Sequence, residues 1–424
     1  MKNNKNLKVA LVHDYLIDFG GAEEVLSVLH EMFPRAPIYV SILNKKGIGR
    51  FIGKYKNVKF ITSWFNYVPF APRAISLFRF LVPLIWNSFD FSSYDLVITS
   101  ASWAVTKGVK KGKNTIEICY LHTPPRYLYG YNTSVIWQDK WFGFLVNIYG
   151  AIVNHFMRIY DFKQAQKVDY FITNSKEVGK RVEKFYKRFD YKVIYPPINT
   201  TKILESKTVS ENNEFYLTGG RMVAAKNFDL IIKAFNINGK KLKIFGSGIQ
   251  EKYLRNIANS NIEFLGKVSE ENKFELLRSC KAFILAQKDE DSGMTAVEVQ
   301  AGGKPAIAFN GGGYPETIVS GKTGILFDEL NEDCINQTIK RFEKMKFKQE
   351  DCINQAKKFS KERFKKEMLQ FVNSKLKREM LKKTAGVWKG TELDSDKLWK
   401  EVLKRKSRPV DWFDKAWPKE WLKK

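Results

Sequence analysis

Short apolar runs, each ending in glycine or a small polar residue and each followed by a helical pattern, recur from about residue 8 to about residue 330. KVALVHD (8–14) leads through Gly20-Gly21 into the amphipathic AEEVLSVLHEMF. DLVITS (95–100), TIEICYLH (115–122), VDYFITNS (168–175) and KVIYPP (192–197) continue the series. A polar stretch, INTTKILESKTVSENNE (198–214), reads as a linker, and the alternation then restarts at FYLTGG (215–220) with LKIFG, IEFLG, KAFILA and PAIAF. Runs apolar throughout, rather than alternating, are strands buried on both faces, and strands alternating with helices make parallel, doubly wound sheets. The sequence therefore predicts an α/β chain of two Rossmann-like domains facing across a cleft. In such sheets ligands bind outside the carboxyl ends of the strands, so the strand-to-helix turns are the places to look for chemistry.

The expected boundaries are 1–197 for an N-terminal Rossmann-like domain, 198–214 for the linker and 215–360 for a C-terminal Rossmann-like domain. A helix over 361–378 is expected to pack back on the N-terminal half. Residues 379–424, with five of the ten tryptophans and many lysines, form an appended basic tail. At 424 residues two domains are the default. Hydrophobic content of 44% excludes a disordered chain. The four cysteines, Cys119, Cys280, Cys334 and Cys352, are too scattered for a disulfide framework or a zinc pattern, which fits a cytoplasmic setting. The start of the chain lacks the long apolar stretch of a signal peptide, and no apolar run reaches the roughly 20 residues of a membrane span. The net charge of +27 admits nucleic acid, an anionic membrane or phosphorylated ligands as partners. No nucleic-acid-binding module is recognisable, so nucleic acid is not expected. Aromatics interleaved with Arg73 and Arg79 over 63–90, and a second apolar segment at 140–160, suit either core helices or an anionic membrane surface.

Five turns carry candidate chemistry. TGGRMVAAKNFD places Gly219, Gly220, Arg221 and Lys226 after a strand, where cations and close-approaching backbone suit a diphosphate. Gly20 and Gly21 stand at a helix start, where free N–H groups attract anions. His122, ahead of Pro124-Pro125 and Arg126, ends a strand and can meet a sugar hydroxyl or a phosphate. EDSGMTAVE sets Glu290 in a loop and Glu298 about a turn inside a helix, a spacing open to hydroxyl binding or to a carboxylate pair for glycoside chemistry. Asp289 and Asp291 also spell an acidic pair of the kind that can hold a metal. NGGGYPE brings Gly311, Gly312, Gly313 and Glu316 to a fifth turn.

In combination and order these motifs resemble the retaining, GT-B-fold glycosyltransferases of family 4, particularly bacterial mannosyl- and rhamnosyltransferases of polysaccharide or lipopolysaccharide assembly, over about residues 7–378. The resemblance implies a GT-B fold, two Rossmann-like doubly wound domains. It also implies hexosyl transfer from a GDP- or UDP-linked sugar to a saccharide or polyprenyl-diphosphate-linked acceptor, with no metal or other cofactor. By similarity, Arg221 and Lys226 bind the diphosphate, Glu298 binds the ribose and Glu290 the sugar hydroxyls. The backbone at Gly293, Met294 and Thr295 meets phosphate, and Gly20 and Gly21 leave room for the ligands. His122 contacts sugar or phosphate, and the region of Gly246, Gly248, Gly266 and Val268 borders the base. The resemblance further implies peripheral attachment at the cytoplasmic face of the membrane. One departure stands out: the family usually has an aromatic where this chain has Ser292, which puts the stiffness of that loop in question. A same-fold epimerase, or a basic membrane- or nucleic-acid-associated protein with a vestigial cleft, are the alternatives.

Overall fold

The computed structural model describes residues 7–49, 53, 55, 58–131, 143–206 and 214–387. Two separate parallel sheets organise the chain. The first holds β1 (Val9–His13), β2 (Ile38–Val40), β3 (Phe60–Thr62), β4 (Leu96–Ala101), β5 (Ile116–Leu121), β6 (Tyr170–Thr173) and β7 (Tyr191–Val193), in the order β3-β2-β1-β4-β5-β6-β7. The second holds β8 (Tyr216–Arg221), β9 (Leu242–Ser247), β10 (Ile262–Gly266), β11 (Phe283–Leu285), β12 (Ala306–Phe309) and β13 (Gly324–Phe327), in the order β10-β9-β8-β11-β12-β13. Every residue of β4 and β5 is buried, as expected for strands covered by helices on both faces. In each sheet the order reverses beside the first strand, between β1 and β4 and between β8 and β11. Crevices open outside the carboxyl ends of the strands at these two points.

Two glycines show why β8 and β9 lie so close. They pair in register with Gly220 opposite Gly246. A Cβ on Gly246 would stand 1.9 Å from the Gly220 carbonyl oxygen, and Gly246 has φ +112°. A side chain is excluded there on both counts.

The expected linker is partly structured. Thr200–Glu205 is a helix, because the Asn199 side chain accepts from the Lys202 N–H at its start while Ile198 and Ile203 bury into the core of the second domain. Ile198 also lies beside the return crossing: its N–H donates to Phe359 and its carbonyl accepts from Lys361. After that crossing the helix Lys361–Val387 runs back over the first domain. Phe364, Met368 and Val372, all fully buried, complete that domain's core together with Leu11, Leu29 and Tyr120. The helices expected over 63–90 are short pieces at Trp64–Tyr67, Ala71–Ala74, Arg79–Leu81 and Val82–Asn87. Prolines at positions 69, 72 and 83 account for the breaks, since proline supplies no N–H to a continuing helix. The other segment is the long helix Gly143–Lys167. Most of the Trp/Lys-rich tail, from residue 388 on, lies outside the described residues.

Candidate active site between the two sheets

The turns singled out in the sequence all lie at strand carboxyl ends, and the two crevices face each other. On the second domain, β8 delivers Gly220 at φ +123°, and the Lys226 amine lies 2.8 Å from where a Gly220 Cβ would stand. Burial lowers the Lys226 pKa from its ordinary value; Glu290 opposes that shift, while Arg221 and Lys273 add to it. Lys226 therefore sits in a field shared by Glu290, Glu298, Arg221 and Lys273. The Arg221 side chain is exposed toward the cleft and acts on the Tyr15 hydroxyl of the first domain, whose pKa is raised by burial and by Asp14 and Glu23.

The helix Met294–Ala301 starts at Gly293, which has φ +67°. Glu290 lies before it and accepts from the Gly293 N–H at 3.3 Å. Tyr314 also bonds the Glu290 carboxylate, and burial first, then this carboxylate, raises the Tyr314 pKa well above its ordinary value. Glu298, inside the helix, is gripped by the Lys273 amine at 2.7 Å to each carboxylate oxygen. None of the motifs points to Lys273: it belongs to the helix Glu270–Ser279, and no pattern in the chain joins it to Glu298. Gly266, at φ +66°, ends β10; Val268 lines a groove of about 700 Å³ with Leu265, Asn272 and Leu276, which extends to Phe215 and Lys241 at the amino ends of β8 and β9 and so lies apart from the crevice. Gly248 is held against Met222, whose carbonyl oxygen would be 2.3 Å from an added Cβ.

Ser292 is buried, and the stiffness in question there comes from elsewhere. The Gly313 N–H donates to the Glu290 carbonyl at 2.9 Å, and a Cβ on Gly312 would meet that carbonyl oxygen at 2.4 Å. The glycine run thus packs backbone to backbone beneath the acidic loop. From the other side the first domain holds the loop. The Asp291 carboxylate oxygen accepts from Arg126 at 2.9 Å and from Arg181 at 2.5 Å, and the Asp289 carbonyl accepts from Arg126. The metal-like spelling of Asp289 and Asp291 is thus used in a cross-cleft clasp. No cluster of three or more His, Cys, Asp or Glu side chains among the described residues is arranged to hold a metal ion.

A second clasp lies beside the first. Glu316 accepts from the backbone N–H groups of Lys176 at 2.7 Å and Glu177 at 2.8 Å, the first turn of the helix Lys176–Tyr186. It also accepts from the Tyr195 hydroxyl at 3.0 Å. A carboxylate suits free N–H groups at the positive end of a helix dipole, here supplied from the opposite domain. Gly21 completes the approach: a Cβ there would stand 2.9 Å from the Met294 sulfur across the cleft. Gly20 precedes the helix Gly21–Met32, and its N–H donates to Glu23 at 2.9 Å.

His122 lies just beyond β5, and its Nε2 is 2.8 Å from the Ser100 hydroxyl. Burial, then the neighbouring His13, pulls its imidazole down to about 3, so the ring is neutral at physiological pH. Asp14 fixes the loop beside it, accepting from the backbone N–H groups of Ser102, Trp103 and Ala104 and from two hydroxyls. That loop carries Val105 at φ +53°. Such a conformation is uncommon for a β-branched residue.

The first domain also presents an apolar face. Phe70 is 75% exposed, Phe144 73% and Phe156 66%, with Leu77, Phe80, Leu84, Ile148 and Ile152 also exposed. The two segments that carry these residues are tied together: Arg79 donates to Asn154 at 2.9 Å and lies over the Tyr149 ring. No helix among the described residues is long and apolar enough to cross a membrane.

Residues 199–359 match the family described as "Glycosyl transferases group 1". An uncharacterized glycosyltransferase of Methanocaldococcus jannaschii is 31% identical over 30% of this chain and 37% of its own length. An alpha-1,3/1,6-mannosyltransferase of Dictyostelium discoideum is 29% identical over 34% of this chain and 45% of its own. The matches therefore span less than half the length of these curated relatives. Among solved structures, the Anabaena protein HepE in complex with UDP-glucose superposes with a TM-score of 0.63 at 17% identity, over 87% of this chain and all of that one. The lipopolysaccharide outer core galactosyltransferase WaaB superposes at 0.58 and 16% identity, over 87% of this chain and 99% of its own. The two facing sheets share the GT-B fold of these structures, and residues 199–359 match the group 1 glycosyltransferase family.

Proposed function

We propose that this chain transfers a hexosyl group, mannose-like in the first instance, from a GDP- or UDP-linked sugar to a saccharide or polyprenyl-diphosphate-linked acceptor. Transfer proceeds with retention of configuration and serves cell-surface polysaccharide assembly. The carrying observation is the convergence of Arg221, Lys226, Glu290 and Glu298 around one helix start, opposite His122 and the Gly20-Gly21 turn. A mannosyltransferase and a GDP-mannose-dependent mannosyltransferase among the relatives, and a UDP-glucose complex among the structural neighbours, support a nucleotide-sugar donor.

In this reading the donor diphosphate lies against Arg221, Lys226 and the N–H groups at Gly293–Thr295. As the glycosidic bond breaks, the sugar gains oxocarbenium character and the leaving diphosphate gains negative charge. Fixed cations then stabilise the transition state more than the ground state. Lys226, whose pKa is depressed by burial, regains a favourable counter-charge when the diphosphate arrives. Glu298 exchanges its Lys273 partner for ribose hydroxyls, and Glu290 orients the sugar.

The apolar face suits an anionic membrane that presents the acceptor. Exposed aromatics next to Arg73 and Arg79 match an acyl–headgroup boundary, and the chain's net charge of +27 adds attraction to anionic lipid. Flotation with phosphatidylglycerol vesicles should retain the protein, and the pair Phe70→Ser and Phe156→Ser should release it; equal recovery of both proteins would exclude this face.

For transfer itself, melting-temperature shifts with GDP, UDP and dTDP and with their sugar conjugates identify the donor. Occupancy at about 100 times Kd adds roughly 2.7 kcal/mol of stability. Lys226→Ala should then lower kcat by about 10²–10³-fold, the usual loss for one preorganised charge donor. If no nucleotide shifts the melt, a vestigial cleft is the better reading. Turnover of donor without acceptor to a second nucleotide sugar would indicate an epimerase.

A further inference from the structure

Four groups from three segments of the first domain line up behind His122. Glu23 Oε2 accepts from the Gly20 N–H at 2.9 Å, and its Oε1 lies 3.6 Å from His13 Nε2. His13 Nδ1 is 3.0 Å from the Ser100 hydroxyl oxygen, which is 2.8 Å from His122 Nε2. His13 is 1% exposed and His122 8%, and the rings meet edge to face at 6.5 Å. We propose that Glu23, His13 and Ser100 form a directional relay that fixes His122 as its Nε2–H tautomer, so that His122 Nδ1 accepts a hydrogen bond from a hydroxyl of the transferred sugar.

The direction follows from what each group can do. At 3.6 Å Glu23 does not hydrogen-bond His13 Nε2, but a carboxylate facing that buried nitrogen favours an N–H over a lone pair on it electrostatically, so the His13 nitrogen facing Glu23 carries the hydrogen. A neutral imidazole has one N–H, so His13 Nδ1 is then a lone pair and must accept from the Ser100 O–H. A hydroxyl has a single hydrogen, and with it given to His13 the Ser100 oxygen can only accept from His122. The His122 hydrogen is therefore on Nε2, and Nδ1 keeps its lone pair. The Asp291 carboxylate, held by Arg126 and Arg181, lies close enough to act on the His122 ring electrostatically. His122 thus stands at the cleft, where it faces the second domain. In this arrangement it cannot donate to a donor phosphate from Nδ1; it selects a group that carries a hydrogen, which a sugar hydroxyl does and an ionised phosphate oxygen does not. His13, Ser100 and Glu23 are positioning residues acting through His122. The inference rests on the sugar-transfer reading only for the identity of the ligand; the tautomer is a property of the free protein.

The test uses the full chain with 15N-histidine. Its four histidines, His13, His30, His122 and His155, are assigned by single substitution. Long-range 1H–15N correlation at pH 8, above the ordinary imidazole pKa of about 6.5, reads which nitrogen is protonated. The expected result is one tautomer, Nε2–H, at both His13 and His122. Glu23→Gln should invert the chain. The amide oxygen keeps the Gly20 N–H, the amide N–H dipole then faces His13 Nε2 and favours a lone pair there, and His13 and then Ser100 reverse, leaving His122 as Nδ1–H. Ser100→Ala should leave His122 in both tautomers, and Ser100→Thr should restore one. His122 as Nδ1–H in the wild type, a doubly protonated His13, or a Glu23→Gln protein with His122 unchanged would each overturn the relay. The sugar contact is read separately, with deoxy analogues of whichever of GDP-mannose or UDP-glucose shifts the melt. One analogue should bind the wild type about tenfold more weakly, and Ser100→Ala should erase most of that difference by raising KM for the parent donor with little change in kcat. Equal binding of all analogues would remove the sugar contact while leaving the tautomer result standing.

Discussion

Asp291→Ala should loosen the grip of the two domains on each other. One carboxylate oxygen of Asp291 serves both Arg126, at 2.9 Å, and Arg181, at 2.5 Å. The Arg181 side chain is only 2% exposed, and those of Arg126 and Asp291 are 19% and 23% exposed. Charge-assisted bonds contribute roughly 1.5–3 kcal/mol each, and removing one partner of a buried pair costs about 3–5 kcal/mol. Partial exposure of Arg126 and Asp291 argues for the lower end, about 3 kcal/mol. Arg181 keeps bonds to Thr123 and Glu177, which limits the loss further. The penalty falls on the closed arrangement alone, because in an opened molecule water reaches both guanidinium groups. At about 1.4 kcal/mol per tenfold, the closed-to-open ratio should drop about 10²-fold. Small-angle scattering should register a larger radius of gyration, and the unfolding of each domain should move little. In a double-mutant cycle, Asp291→Ala and Arg181→Ala should show a coupling of about 1–3 kcal/mol, the range for residues in direct contact. An unchanged scattering curve, together with additive effects in the cycle, would mean that the Asp291 carboxylate does not hold the domains together.

Two further outcomes follow from buried groups elsewhere. Glu117, fully buried at the start of β5, has its carboxyl pushed up to about 7 by burial, against Lys111 and the Gly108 N–H, which lower it. Its folded pKa thus exceeds the ordinary carboxylate value of 4.5. The proton it binds therefore contributes stability that is fully present below the ordinary value and is lost as pH rises through the folded one. At about 1.36 kcal/mol per unit the change is about 3 kcal/mol. Denaturant melts at pH 5 and 8 should show wild-type stability falling relative to Glu117→Gln by about that amount; parallel curves would refute the buried acid. Phe364→Ala, in the helix that returns to the first domain, should cost about 3–5 kcal/mol through the cavity it leaves against Tyr120 and its neighbours. A urea midpoint within error of wild type would show that the returning helix does not stabilise that core.

Much of the fold is legible because its signals are local. Continuous apolar runs such as LVITSA and IEICYL require strands covered on both sides, and a glycine or small polar residue at the end of such a run marks the turn where a ligand can approach. The five candidate turns stand out in this way, and the strand order then gathers them at the two crevices. Thr200–Glu205 reads as linker because an Asn cap and a single buried isoleucine are a weak signal within a polar stretch. β2 and β3, three residues each, are too short to stand out by periodicity.

The alternation, the two-domain α/β architecture and the residue types at each turn depend on neighbours a few positions apart and can be read along the chain. The partners of those residues follow from packing between distant elements. Lys273 grips Glu298, Asp291 is shared by Arg126 and Arg181, Glu316 caps a helix of the other domain, and Ser100 joins His13 to His122. Each pairs a charge or a hydrogen-bonding group with one on another element. The sequence separation is 22 for Ser100 and His122, and 140 for Lys176 and Glu316. Such pairs leave no periodic trace, because a carboxylate or an imidazole is compatible with many positions along a chain. Its partner is fixed only when two sheets, closing on one another, remove the water that would otherwise serve equally well.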